Sequence, residues 1–180
     1  MRASGRRETE ETSIEIELET DGAGRAAVET GIQMLDEILL QFAAGGGFDL
    51  EVRARGDLET GDHHTTEDVA ITLGGLLRQA IGGGTGSAIV PSGGCLATAA
   101  VRFGRPGYRG EFSFRGAVSG GMCLENFGHW LRSLAYSGGF TLHVRADGGD
   151  DRSKIEAMSF ALGRALKVAS KDPAAIPFRP

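Results

Sequence analysis

Two stretches of this chain are near copies of each other: Gly46 to Gly56 reads GGFDLEVRARG, and Gly138 to Gly148 reads GGFTLHVRADG. Each is followed by a short acidic loop and a helical run, EDVAITLGGLLRQA in the first copy and EAMSFALGRALKVA in the second. With a three-residue deletion in the second loop, Glu67 aligns with Glu156, Leu73 with Leu162, Gly74 with Gly163 and Leu77 with Leu166. Upstream, MLDEILLQFAAGGGF aligns with FGHWLRSLAYSGGF, which sets Glu37 opposite His129. A match of this length implies a duplicated unit, so whatever the first half forms the second half must form again.

The patterning within each copy alternates between the two regular periods. TSIEIELE places Ile14, Ile16 and Leu18 on one face and reads as the first strand. A helix over roughly 31–43 follows, then the strand FDLEVRA, the acidic loop and the second helix. In the second half GCLATAAVRF and YRGEFSFRG read as strands, 122–135 as a helix, 140–146 as a strand and 154–169 as the last helix. Val69, Leu73, Leu76, Leu77 and Ala80 recur at helical spacing, so that helix buries one stripe. The expected class is α+β, an α/β sandwich in which a tandem duplicated unit makes two four-stranded mixed sheets with the helices packed between them. Neither copy can bury both faces of its elements alone. The chain of 180 residues is therefore expected to be a single domain of two pseudo-repeats, about 10–90 and 91–172.

Charge and composition exclude several roles. A formal net charge of −5 with both signs dispersed argues against nucleic acid or an anionic membrane as partner. No apolar run approaches the ~20 residues that span a bilayer. The opening MRASGRRETEET lacks the apolar core of a secretory signal, so a cytoplasmic location is expected. Cys95 and Cys123 form no CxxC and read as small buried apolar groups. Trp130 reads as core or interface, His143 as surface, and the RRETEE charges as a solvated lead into the first strand.

The segment GDHHTTEDVAITLGGLLRQAIG carries the chemistry. His63 and Glu67 are four apart, as are His64 and Asp68, so on a helix each pair shares a face. Imidazole with carboxylate suits Mn, Fe or Zn. Neighbouring histidines diverge by about 100°, so two metals could take one each. The alternative is structural: Asp62 or Thr65 caps the helix and the histidines are solvated. The duplication adds matched positions. The first half offers Glu37, His63, His64 and Glu67, and the second offers His129, Arg152, Ser153 and Glu156. Arg132, three residues after His129, could face the same cleft or the solvent.

These motifs, in this order, resemble the imidazoleglycerol-phosphate dehydratase family. DHHTTED is similar to that family's DHHTVED helix, TGIQMLDEIL to its TGI-x-FFDHML segment, and GRP, HWLRSLAYSGG and IEAMSFALGRAL follow in the family's order. The resemblance implies a tandem fold and a metal-dependent dehydration of imidazoleglycerol phosphate to imidazole acetol-phosphate in histidine biosynthesis. It implies trimers joined into a twenty-four-subunit cubic shell, with one or two manganese ions per chain at subunit contacts. Carried over by position, Glu11 and Glu156 would be the acid/base carboxylates. Glu37, His63, His64, Glu67, His129 and Glu156 would be metal ligands. Arg105 would hold the small phosphate substrate, with Arg132, by its place after His129, and Arg179, as a substitute in the tail, the further substrate-binding candidates.

The chain departs from that pattern in its second half. Glu37 replaces a histidine, a change manganese tolerates. Arg152 and Ser153 stand where the family has a second histidine pair, and arginine has no lone pair to give a cation. PSGG, with Gly93 and Gly94, replaces a segment with two carboxylates; the arginine before it is missing; Phe160 replaces a lysine. The tail ends IPFRP, where Arg179 is the available substitute. Three functions fit: a divergent dehydratase, a homologue that kept the fold but not the reaction, and an enzyme using the retained half-site on another imidazole or small acid.

Overall fold

A computed structural model describes residues 1–172. The first sheet contains β1 (Arg2–Glu8), β2 (Thr12–Glu19), β3 (Ala26–Glu29) and β4 (Asp49–Gly56), in the order β1-β2-β4-β3. The second contains β5 (Thr85–Ser92), β6 (Cys95–Phe103), β7 (Gly107–Glu111) and β10 (Phe140–Gly148), in the order β5-β6-β10-β7. The two sheets have one topology: three strands antiparallel and the last edge strand parallel to its neighbour. The helices α1 (Gln33–Gly46) and α2 (His63–Ala80) cover the first sheet, and α3 (Glu125–Gly138) and α4 (Asp151–Ser170) cover the second. The result is a four-layer α+β sandwich, sheet, helix pair, helix pair, sheet, around one continuous apolar core.

The repeated GGF signature has a local cause. Gly47 and Gly139 end α1 and α3 in the left-handed region, φ +60° and +68°, where a side chain would be strained. The glycines before them leave room for the aromatic ring two residues on: a Cβ on Gly46 would lie 2.2 Å from the Phe48 ring, and one on Gly138 2.3 Å from the Phe140 ring.

The helices pair across the duplication. α1 packs on α4, and α2 on α3. Each contact is set by an aligned glycine. A Cβ on Gly163 of α4 would lie 2.0 Å from the Phe42 carbonyl oxygen of α1, and a Cβ on Gly74 of α2 would lie 2.8 Å from the Leu134 carbonyl oxygen of α3. Gly163→Ala is expected to cost at least the ~1–3 kcal/mol typical of overpacking, read as a fall in the urea midpoint without a change in slope. An unchanged midpoint would show that the α1–α4 contact can open at no cost.

Several elements differ from the sequence expectation. The first half of RRETEE, Arg6 to Glu8, belongs to the edge strand Arg2–Glu8 and is no mere lead-in, although Arg6 and Glu8 stay exposed, because the backbone of β2 offers a complete antiparallel partner from Arg2↔Glu19 to Glu8↔Ser13. β3 and β5 are likewise strands that the patterning did not announce. YRGEFSFRG stays in the sheet only to Glu111; Phe112 and Phe114 turn away to pack on Phe127. Met122 begins no helix. It pairs with Ser119 in the small hairpin β8 (Val118–Ser119) to β9 (Met122–Cys123), whose turn glycines Gly120 and Gly121 both have positive φ, as a type I′ turn requires. Trp130 and Cys95 are buried, whereas Cys123 is only half-buried; His143 is exposed.

The segment 115–126 gathers the starts of all four helices. The Met34 amide of α1 donates to the Gly120 carbonyl. Asp62, before α2, accepts from the Cys123 amide, and Asp151 of α4 accepts from the Arg115 and Gly116 amides. α3 begins within the segment itself. The first turns of the helices, which carry the aligned His, Glu and Arg positions, thus lie toward one end of the sandwich.

Candidate metal centre

His63 and Glu67 are one turn apart on α2, with His63 Nε2 3.3 Å from Glu67 Oε2. The partner from the neighbouring helix is His129 of α3, whose ring lies edge-on to His63 at 5.7 Å between centroids. Ser133, one turn beyond His129, donates to Glu67 Oε1 at 3.5 Å. The His63 and Glu67 side chains are 49% and 43% exposed, so the group opens outward. Two imidazoles and a carboxylate form a donor set suited to a first-row divalent metal.

The ring nitrogens facing inward are already held. Asn126 donates its amide to Asp62 at 2.8 Å, which turns its carbonyl oxygen toward His63 Nδ1 at 3.2 Å. An oxygen there can only accept, and so can the Glu67 carboxylate facing Nε2; with a metal bound, the proton would sit on Nδ1 and Nε2 would be the ligating atom. His64 Nδ1 faces the Asp57 carboxylate at 3.2 Å with the same consequence. The Asp57 carboxyl is held below the ordinary aspartate range, first by the Thr60 hydroxyl and then by His64. Asp57→Asn should weaken metal retention about 10–100-fold, measured by competition with a coloured chelator, while leaving the fold intact. Unchanged affinity would remove His64 from the site.

Asp57 and Asn126 were missed in the sequence because each lies outside the HHxxE motif; the acidic residue before the helix was the available signal for Asp57. Two other expectations change. Asp62 occupies the position before α2 but makes no side-chain cap, its carboxylate being used on Cys123 and Asn126. Asp68 does not pair with His64. It is buried, accepting from Arg7 Nε at 2.7 Å and from the Thr12 hydroxyl, and so ties α2 to β1 and β2.

The grouping by halves also changes. Glu37 does not join His63; it meets α4, where Arg152 Nη2 forms an ion pair with Glu37 Oε1 at 3.0 Å and Arg152 Nε donates to Glu156 Oε1 at 2.9 Å. Glu156 is therefore engaged by an arginine, not by the histidine cluster. Because α2 faces α3 and α1 faces α4, each cluster takes one residue from one copy and its remaining members from the other.

The remaining candidates lie apart. Glu11 is exposed in the β1–β2 turn, and its carbonyl accepts from the Asp57 amide, so it borders the His64 side. Arg105 sits in the β6–β7 turn, beside Gly104, whose amide donates to the Gly139 carbonyl at the far end of α3. At ~1.5 Å per residue that end of the helix is about 15 Å from His129. Arg132 is exposed and lies over the Tyr136 ring at 5.5 Å, further along α3. Arg179 lies outside the described residues. Among the described residues, no group of three or more His, Cys, Asp or Glu side chains is arranged to hold a metal ion within one chain, so His63, Glu67 and His129 are neighbours and not a formed site. No described helix is long and apolar enough to cross a membrane.

Comparison with known proteins places this geometry. The family model for imidazoleglycerol-phosphate dehydratase matches residues 30–166. The imidazoleglycerol-phosphate dehydratase of Methanothermobacter thermautotrophicus is 45% identical over 169 residues, covering 91% of this chain and 87% of the relative. Among solved structures, the dehydratase of Staphylococcus aureus superposes with a TM-score of 0.82 at 28% identity, covering 94% of this chain and 98% of that one. That of Pyrococcus furiosus, solved in complex with (S)-C348, superposes with a TM-score of 0.82 at 29% identity, covering 97% of each. With the duplicated sandwich and the ordered motifs, these matches establish that the chain belongs to the imidazoleglycerol-phosphate dehydratase family.

Proposed function

We propose that this chain is a hydro-lyase that converts imidazoleglycerol phosphate to imidazole acetol-phosphate, a step of histidine biosynthesis, with manganese held by His63, Glu67 and His129. The observation that carries the reading is the meeting of two half-exposed imidazoles and a carboxylate from two adjacent helices, with the Asn126 carbonyl oxygen placed to hold the His63 Nδ1 proton. The residues present fit a divalent metal there as part of a shell. His64, oriented by Asp57, presents its free nitrogen for a second contact, and a neighbouring copy of the chain would complete the coordination. Such sharing accounts for a half-site that opens to solvent and supports a homo-oligomer, with trimers building a larger shell.

When bound, the metal supplies a Lewis acid that draws electron density from the substrate's imidazole. The chain's own groups do the rest. Asp57 and Asn126 hold the histidine tautomers. Glu11, beside Asp57, is the candidate carboxylate for taking the proton from carbon and delivering one to the departing hydroxyl. Arg105, with a planar fork suited to phosphate, would reach the substrate from another copy, because within one chain it sits at the far end of α3.

Incubation of the purified protein with imidazoleglycerol phosphate and manganese tests the reading. Formation of imidazole acetol-phosphate, abolished by chelator and restored by metal, is the expected result. No turnover with manganese, iron or zinc would overturn it and favour the second reading, a homologue that kept the scaffold but not the reaction. The arginine-filled second cluster is the observation on which that reading stands.

A further inference from the structure

The first turns of α1 and α4 repeat those of α3 and α2 with different chemistry. By alignment Glu37 stands where His129 does, Arg152 where His63 does, Ser153 where His64 does, and Glu156 where Glu67 does. The geometry is repeated as well. His63 reaches Glu67 one turn on in α2, and Arg152 reaches Glu156 one turn on in α4. His63 faces His129 across the α2–α3 contact, and Arg152 faces Glu37 across the α1–α4 contact.

The second cluster does not fit a metal. A guanidinium has five N–H donors and no acceptor, so it cannot be a ligand and repels any cation placed beside it. Nor is it a loose surface group. Glu37 is only 18% exposed, its Oε1 forms an ion pair with Arg152 and accepts from Gln33 Nε2 at 3.2 Å, and its Oε2 is buried with no hydrogen-bond partner. A carboxylate so placed requires a fixed positive charge nearby, since an unpaired buried charge is strongly unfavourable. Arg152, bridging Glu37 and Glu156, meets that requirement.

We propose that the Arg152 guanidinium is the resident cation of this second position, so that the chain pairs one metal position with one covalently tethered cation at the pseudo-equivalent place. The inference rests on the proposed function only for the metal at His63; the exclusion of metal at Arg152 stands on its own geometry. Substrate reaching the second position would meet N–H donors and a fixed positive charge, which stabilise an anion but cannot accept an electron pair. Such a centre needs one metal equivalent for full occupancy.

Manganese per chain, measured by elemental analysis after equilibrium dialysis, compares the unaltered protein with the triple variant Glu37→His, Arg152→His, Ser153→His. The variant is expected to hold one manganese more per chain than the unaltered protein. Equal content in both, or two per chain in the unaltered protein, would overturn the proposal. A content of none in the unaltered protein and one in the variant would sink the metal reading of His63 while supporting this one. Should the triple variant fail to fold, R152H alone, placed in a His63→Ala/His129→Ala background, serves instead. Manganese should raise its thermal midpoint and leave the midpoint of the background protein unmoved. A shift of equal size in both would overturn the inference.

Discussion

On the proposed metal site, His63→Ala is expected to abolish metal binding and reduce kcat/KM by at least 100-fold. The side chain is the meeting point of the cluster, 3.3 Å from Glu67 and edge-on to His129, so its removal leaves two separated donors in the chain. Losing a partner behind a ligand costs about 10–100-fold in affinity or activity, and losing the ligand itself should exceed that. A 100-fold drop corresponds to about 2.7 kcal/mol of transition-state stabilisation. The metal-free stability should change by no more than ~0.5 kcal/mol, because the ring is half exposed and belongs to no core contact. Manganese titration together with steady-state rates at saturating metal checks both parts. An intact binding isotherm would move the metal away from α2, whatever happened to the rate.

Trp130→Ala should give the largest loss of stability of any single change on α3, about 3–5 kcal/mol. The indole is fully buried and stacks on Phe127 with ring centroids 6.3 Å apart and planes 11° from parallel. Phe127 in turn packs edge-on against Phe112 and Phe114, so the cavity would open into an aromatic cluster that cannot easily collapse. Against a total stability of ~5–15 kcal/mol such a loss can unfold the chain at moderate temperature. Trp130→Phe separates size from chemistry. It keeps most of the packing and removes a buried Nε1 that has no hydrogen-bond partner, so its cost should stay below ~1.5 kcal/mol. Circular dichroism in urea gives both values, since Trp130 is the only tryptophan and its fluorescence is lost in either variant. Equal costs for the two substitutions would show that the Nε1 group, not the ring volume, sustains this part of the core. His129 precedes Trp130 directly, so the alanine variant should also hold metal less well.

Much of the fold was legible because its causes are local. Strict alternation marked β2, β4, β6 and β10, each of which turns one apolar face into the core. The strands that patterning missed, β1, β3 and β5, lie at sheet edges, where pairing depends on a neighbour's free backbone and not on apolar residues of their own. The SGGM hairpin was legible in principle, from two adjacent glycines, yet 122–124 read as the start of the helix.

The candidate site divides along the same line. The residues of HHxxE, their shared helical face and their counterparts in the second copy follow from chain order and from about 3.6 residues per turn, so the sequence alone determined them. It also determined that two like units would form, and that the second carries arginine where the first carries histidine. Only the tertiary structure decided that His129 completes the His63 group while Glu37 is delivered to Arg152. Amphipathic stripes tell each helix to bury a face but not against which partner. That choice is made where two sheets bring four helices together, at the close approaches of Gly74 to Leu134 and Gly163 to Phe42, which no local pattern encodes.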